Sequence, residues 1–242
     1  MANPGSFFSF KQFTIQQDRT AMKVCTDACV LGAYADVGSG AESRAERVLD
    51  IGTGTGLLAL MAAQRKPTTQ VDAVEIDDEA FRQAVDNVAH SPFAGRVRVW
   101  HGPIQSFDGE PYDRILTNPP FYTNHLRSPD AAVNRALHTG ELPFTDLLTA
   151  VSRLLRRDGQ WWVLLPPYEA GLLSKMAQTY GLRPFRRLYL RHNTHKPPFR
   201  VITGFGYGPE TATDETLFIY EIDNRTYTPA FRALLQDFYL IF

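Results

Sequence analysis

Two short runs in this chain carry residue types that can do chemistry. One is Asp50-Ile51-Gly52-Thr53-Gly54-Thr55-Gly56, and the other is Asn118-Pro119-Pro120-Phe121. In the first, alternate glycines let the main chain bend sharply and approach a ligand closely. Asp50 adds a carboxylate that can brace the turn or face an ammonium group, directly or through water. In the second, two successive prolines fix the backbone and remove two donors. The Pro119 carbonyl and the Asn118 side-chain oxygen then stand as fixed acceptors for both hydrogens of an exocyclic amine, with Phe121 as a flat face for stacking a base.

Such an acceptor pair has a chemical use. The lone pair of an amine such as adenine N6 is delocalised into its ring, which makes it a poor nucleophile. Two acceptors favour a pyramidal nitrogen and localise that lone pair, so that much of the catalysis is positioning. The glycine spacing then selects the cofactor. A dinucleotide fingerprint places two residues between its second and third glycines, whereas here only Thr55 intervenes, and Leu57 rather than a phosphate-loop lysine follows Gly56. That spacing argues against a nicotinamide oxidoreductase and favours a nucleoside cofactor without pyrophosphate, S-adenosylmethionine. Glu75, at the end of the next strand, is placed to accept hydrogen bonds from ribose hydroxyls. The two motifs point to a methyltransferase for a planar amino nitrogen: adenine N6 in RNA or DNA, guanine N2, or a protein glutamine amide. A non-catalytic RNA-binding module with a relic pocket is the other class, and the intact Asn118 and Phe121 argue against it.

These motifs need a frame. Arg47–Ile51, Gln70–Ile76, Arg96–Trp100, Asp113–Thr117 and Gln160–Leu165 read as strands. Leu57–Arg65, Asp78–His90, Phe144–Leu155 and Tyr168–Tyr180 read as helices. Leu57, Leu58, Leu60 and Met61 should face inward. So should Ala80, Phe81, Ala84, Val85 and Val88, with Asp77 or Asp78 capping their helix. Repeated strand-then-helix units imply a parallel sheet covered on both faces. Further on, Phe185–Arg191 and Val201–Tyr207 form two strands joined by the loop His192–Pro198, Leu217–Glu221 is another strand candidate, and a closing helix runs from Tyr227 to an end in Phe238-Tyr239-Leu240-Ile241-Phe242. At the start, Phe8–Gln17 is extended, and Thr26 or Asp27 can cap a helix over Ala28–Tyr34. Residues 122–142 read as a mobile loop with a short helix near 131–137.

The composition is 44% hydrophobic and 21% charged, which suits a globular protein. No run reaches the length of a membrane span, and Met1–Phe10 lacks the layout of a secretory signal. A cytoplasmic enzyme is the expectation. Cys25 and Cys29 are read as packed thiols, because two ligands do not complete a zinc site and no spaced partners follow; no metal is expected. The net charge is -1, so any nucleic-acid surface must be local. The acid-free stretch 183–200 supplies one candidate, with Arg183, Arg186, Arg187, Arg191, His192, His195, Lys196 and Arg200.

The chain resembles the bacterial tRNA1(Val) (adenine(37)-N6)-methyltransferases, within the class I S-adenosylmethionine-dependent enzymes. Besides the two motifs, the resemblance runs through Phe10-Lys11-Gln12-Phe13, Asp18-Arg19, Ala21-Met22-Lys23-Val24, Thr26-Asp27 and Leu31-Gly32-Ala33. It continues through Leu57-Leu58-Ala59-Leu60-Met61-Ala62, Asp72-Ala73-Val74-Glu75 and Asp237-Phe238-Tyr239-Leu240. It implies a Rossmann-like α/β fold with a seven-stranded, mostly parallel sheet whose last strand is antiparallel. It implies one domain over residues 1–242, with residues 1–36 covering the cofactor site, and methylation of adenosine-37 in a valine tRNA. By this similarity Asp50, Gly52, Thr53, Gly54, Gly56, Glu75, Ile76, Ile104, Gln105 and Asn118 hold the cofactor. Lys23, Thr26 and Asp27 close over its amino-acid end, and Asn118, Pro119, Pro120 and Phe121 hold the target adenine. Two departures stand out. Where relatives carry an acidic residue after the third strand, this chain has Pro103-Ile104-Gln105, and Leu137 takes the place of a basic residue before His138.

Overall fold

The computed structural model describes residues 5–20, 22–38, 46–119, 142–208 and 211–242. An N-terminal hairpin, β1 (Phe7–Ser9) and β2 (Thr14–Gln16), precedes helix α1 (Thr26–Tyr34). Alternating units follow: β3 (Arg47–Ile51), α2 (Leu57–Arg65), β4 (Gln70–Glu75), α3 (Asp78–Ala89), β5 (Val97–His101) and β6 (Tyr112–Thr117). Then come α4 (Phe144–Leu154), β7 (Leu155–Leu165), α5 (Pro167–Ala177), β8 (Arg183–Arg191), β9 (Arg200–Gly206), β10 (Thr213–Phe218) and α6 (Pro229–Leu235).

Among the described residues the main sheet runs β10-β8-β9-β7-β6-β3-β4-β5. Only β9 is antiparallel to its neighbours. Seven of these strands give the expected sheet with its antiparallel last member, and β10 adds an eighth at the edge, parallel to β8. β10 starts four residues before the expected strand. Its sequence, Thr213-Asp214-Glu215-Thr216, is polar and exposed, so no apolar run marks it. Main-chain pairing with β8 along its whole length holds it, with Leu217 buried, and exposed ion pairs add to it: Arg187 to Asp214 at 3.1 Å and Arg186 to Glu215 at 3.5 Å.

Strand periodicity builds the core. Along β7, Trp162 and Leu164 face one cluster with α1 and α2, while Trp161, Val163 and Leu165 face the other with α4 and α5. The order reverses at β3, which pairs with β4 on one side and β6 on the other. Ligands in open α/β sheets bind at the carboxyl ends of strands beside such a reversal.

Three local expectations need correction. In α3, Asp77 caps as expected, accepting from Ala80 N–H at 2.9 Å, but the inward face is rotated. Gln83 and Asn87 are buried while Val85 is exposed, because the two amides hydrogen-bond to the N-terminal segment. In α1 the cap residue is Cys25, with no side-chain bond, and Asp27 is drawn to Arg200 at 2.9 Å. The closing helix ends at Leu235; Phe238 and Tyr239 N–H both donate back to the Leu235 carbonyl at 2.9 Å, and the tail turns toward the hairpin. There the Lys11 ammonium donates to the Gln236 and Phe242 carbonyls, and Phe10 pairs with Tyr239 in an antiparallel bridge.

Candidate active site

Register brings the two motifs together. Ile51 is the partner of Val74 on one side and of Thr117 on the other. Glu75, Gly52 and Asn118 are the residues that follow, and they form a row across three adjacent strands. At roughly 4.8 Å per strand, the row is about 10 Å wide.

The glycine turn is braced from below and from the side. Gly52 and Thr53 N–H both donate to the Val74 carbonyl, at 2.9 and 3.1 Å. Asp50 is fully buried, and its Oδ2 accepts from the Thr53 hydroxyl at 2.5 Å and Ala59 N–H at 3.2 Å. Its Oδ1 has no partner among the described residues. Glu75 is also buried. Its Oε2 accepts from Gly54 N–H at 2.8 Å, and its Oε1 from Ile76 and Asp77 N–H, both at 2.9 Å. Gly52 and Gly54 have φ of +69° and +56°, and a Cβ on either would meet nothing within 4 Å. The result is an open cradle with rigid walls at the start of α2, where free N–H groups point outward. This shape suits a nucleoside cofactor, with one lone pair of Glu75 Oε2 still available to a ribose hydroxyl.

Burial pushes the Asp50 carboxyl up to about 7, with a lesser contribution from Glu75, against the opposing bonds from Thr53 and Ala59. In the unfolded chain it ionises near 3.8. Between those values the native state holds a proton that the unfolded state has released, so stability falls as pH rises and the full penalty is present above pH 7. Asp50→Asn removes that charge. The variant should gain more thermal stability at pH 8 than at pH 5, at about 2–4 °C per kcal/mol relieved. Equal shifts at both pH values would refute the assignment.

The acceptor motif begins where β6 ends. Thr117 is buried and its hydroxyl takes the Trp161 indole N–H at 3.1 Å, which fixes the strand end. Asn118 is half-buried and Pro119 buried. Asn118 Oδ1 is itself buried and has no hydrogen-bond partner among the described residues. Buried acceptors are almost always satisfied, so such an atom calls for an explanation. Pro120, Phe121, Leu137 and His138, with the expected loop to residue 141, lie outside the described residues.

The other expected cofactor residues differ in burial and partners. Ile76 is exposed beside Glu75. Ile104 is buried in the core under α4, and the Gln105 amide donates to Asp146 at 3.0 Å. Lys23 is exposed, Thr26 half-buried, and Asp27 buried against Arg200. A separate groove of about 750 Å³, lined by Lys11, Gln12, Asp18, Arg19, Asp86 and His90 among others, shares no residue with the cradle. Among the described residues no group of three His, Cys, Asp or Glu could hold a metal ion, and no helix is long and apolar enough to cross a membrane. Cys25 and Cys29 are both free thiols, and Cys29 is fully buried.

The basic stretch is altered by folding. Arg186 and Arg187 pair with β10, and Arg200 pairs with α1. Arg191 donates to the Lys196 carbonyl at 2.6 Å and so shapes its own loop. His192 stacks on Phe199 at 4.3 Å, and His195 and Lys196 are exposed. Because Leu190 pairs with Arg200, and Val201 with Leu165, this loop stands at the same edge of the sheet as the row of Glu75, Gly52 and Asn118.

The chain matches the methyltransferase small domain family over residues 37–171. It is 47% identical over 239 residues to a Dyadobacter fermentans protein named tRNA1(Val) (adenine(37)-N6)-methyltransferase, covering 97% of this chain and 98% of that one. A Tolumonas auensis protein of the same name is 44% identical, covering 98% of each chain. Among solved structures, a predicted O-methyltransferase from Agrobacterium tumefaciens is similar with a TM-score of 0.63 at 18% identity, covering 87% of this chain and 96% of that chain. That is a likeness of fold.

Proposed function

We infer the reaction from the family to which this chain belongs, the tRNA1(Val) (adenine(37)-N6)-methyltransferases, and from the site just described: it is an S-adenosylmethionine-dependent tRNA adenine-N6 methyltransferase. Its target in this proposal is adenosine-37 of a valine tRNA, and its compartment is the cytoplasm. When bound, the cofactor supplies an electron-poor methyl carbon on a sulfonium. The chain's own residues do the rest. The glycine turn and Glu75 seat the nucleoside portion, while Asp50 underpins the turn. The segment Lys23–Asp27 closes over the amino-acid end, so that residues 1–36 cover the site.

The single observation that carries the reading is the buried Asn118 Oδ1, without a hydrogen-bond partner among the described residues, two strand spacings from Glu75 and beside the open glycine cradle. With the Pro119 carbonyl it accepts the two N6 hydrogens, localises the lone pair and aims it along the line of attack. Neither oxygen has to be a strong base, since the N6 proton becomes acidic as the nitrogen commits its lone pair. Phe121 stacks the swung-out base, a contact worth about 1–3 kcal/mol, against an unstacking cost of a few kcal/mol.

Incubation of labelled cofactor with unmodified total RNA and, separately, with cell protein, followed by oligonucleotide mass spectrometry of the labelled RNA, should yield N6-methyladenosine at position 37 of a valine tRNA. Label in guanosine, in ribosomal RNA only, or in protein would move the reaction to another planar amine, and no cofactor binding would leave a relic pocket.

For the RNA we propose contacts by Arg186, Arg187, Arg191, His192, Lys196 and Arg200, graded by how each is engaged within the fold. Lys196→Ala should weaken tRNA binding and reduce the log–log salt slope by about one. Arg191→Ala should weaken it through the shape of the loop. Unchanged affinity of both variants at low and high salt would refute the contact surface.

A further inference from the structure

We propose that Asn87 is a positioning residue for the cofactor's glycine turn and locks that turn to the N-terminal segment; the proposal rests on the methyltransferase reading. Asn87 lies on the inward face of α3, 2% exposed, at a position where an amphipathic helix ordinarily carries an apolar side chain. Its amide is nearly fully used. Oδ1 accepts from Gln16 N–H at 2.8 Å, and Nδ2 donates to the Gln16 carbonyl at 2.9 Å and to the Thr55 carbonyl at 2.8 Å. The side chain thus pairs with both main-chain groups of Gln16 as a strand neighbour would. It passes its second hydrogen to the turn.

The bond to Thr55 orients the peptide joining Thr55 to Gly56. Gly56, at φ +85°, is the cap of α2, so this peptide sets where the helix presents its first free N–H groups. Asp50 and Glu75 fix other points of the same turn, and both belong to its motif or the adjoining strand. Asn87 comes from outside both. Its second hold extends toward the cofactor segment. Gln17, next to Gln16, accepts Val24 N–H at 2.8 Å, beside Lys23. Gln83, one helical turn before Asn87, accepts Arg19 N–H at 2.9 Å and touches only the segment in these bonds. The two amides therefore separate the effects: Gln83 docks the segment, and Asn87 docks the segment and orients the turn.

The test compares the full-length chain with Asn87→Ala, Asn87→Asp and Gln83→Ala. It measures cofactor Kd by calorimetry, KM and kcat at saturating tRNA, Tm, and trypsin cleavage after Arg19 and Lys23. Asn87→Ala should raise both Kd and KM for S-adenosylmethionine about tenfold with kcat held within about threefold, and should speed cleavage. Asn87→Asp keeps the volume but sets a carboxylate oxygen against two carbonyls, so it should act in the same direction and guard against a misfolded alanine variant. Gln83→Ala, which loosens the segment but leaves the turn oriented, should speed cleavage and raise Kd by a smaller factor than Asn87→Ala, and a rise as large as that of Asn87→Ala would overturn the role given to the Thr55 bond. Cofactor affinity equal to that of the parent in either Asn87 variant would overturn the proposal. A fall in Tm and kcat with KM unchanged would overturn it too, as the mark of a structural role. If the parent itself bound no S-adenosylmethionine, the methyltransferase reading would fall first.

Discussion

Asn118→Ala is expected to lower kcat by about 10²–10³-fold, the scale seen when one preorganised polar group is removed from a reacting centre, while cofactor Kd stays within about threefold. The division follows from the architecture. Asn118 follows β6, whereas the turn proposed to seat the cofactor follows β3 and is braced by Asp50, Glu75 and Val74. Alanine leaves all of those braces in place and takes away only the side-chain acceptor. Its Oδ1 has no partner among the described residues, so the folded state loses little when it goes. The amine keeps one acceptor, the Pro119 carbonyl, and its lone pair is free to return into the ring. Single-turnover kinetics with bound tRNA, set beside calorimetry with S-adenosylmethionine, read the two quantities apart. Turnover within threefold of the parent would remove Asn118 from the chemistry.

Glu75→Ala should have the opposite signature: cofactor Kd raised about 100-fold or more, and Tm lowered. Three main-chain donors, of Gly54, Ile76 and Asp77, end on this one carboxylate. Its deletion leaves them without their acceptor in a partly buried setting, at about 1–3 kcal/mol for any donor that water does not reach and less for those of Ile76 and Asp77, which are exposed residues. The Gly54 peptide then loses the bond that holds it in a left-handed conformation against the cradle. Glu75→Gln tests the geometry, because its one carbonyl oxygen can serve only one side and its amide opposes a donor on the other. A graded loss, with alanine worse than glutamine, is expected from titration calorimetry. Parental affinity in Glu75→Ala would mean that the cradle is not the cofactor seat.

The parts of the fold that could be read from the sequence are those with local causes. β3, β4 and β6 are buried on both faces and therefore appear as apolar runs. The turn after β3 announces itself because only glycine takes three positive φ angles so close together at no steric cost. What escaped the sequence depends on distant partners. Gln83 and Asn87 face inward for the sake of the N-terminal segment, at Arg19 and Gln16, 64 and 71 positions away; the clue is an amide pair at i and i+4 on a helix whose other inward residues are alanine and valine. β10 is written in exposed polar residues and exists through pairing with β8. The arginines of 183–200 have no acid nearby in sequence, yet acids from α1 and β10 meet three of them. Trp161, which fixes Thr117 ahead of Asn118, reads only as another core aromatic.

The row of Glu75, Gly52 and Asn118 turns the pitch of a β-sheet into a ruler. The proposed donor seat and the proposed acceptor oxygens are graduations on one stiff backbone lattice, so their separation is set by strand spacing rather than by the surface loops. Evolution can then rework the rim to choose a different RNA without recalibrating the transfer, because the measuring instrument and the hand that brings the sample are separate parts.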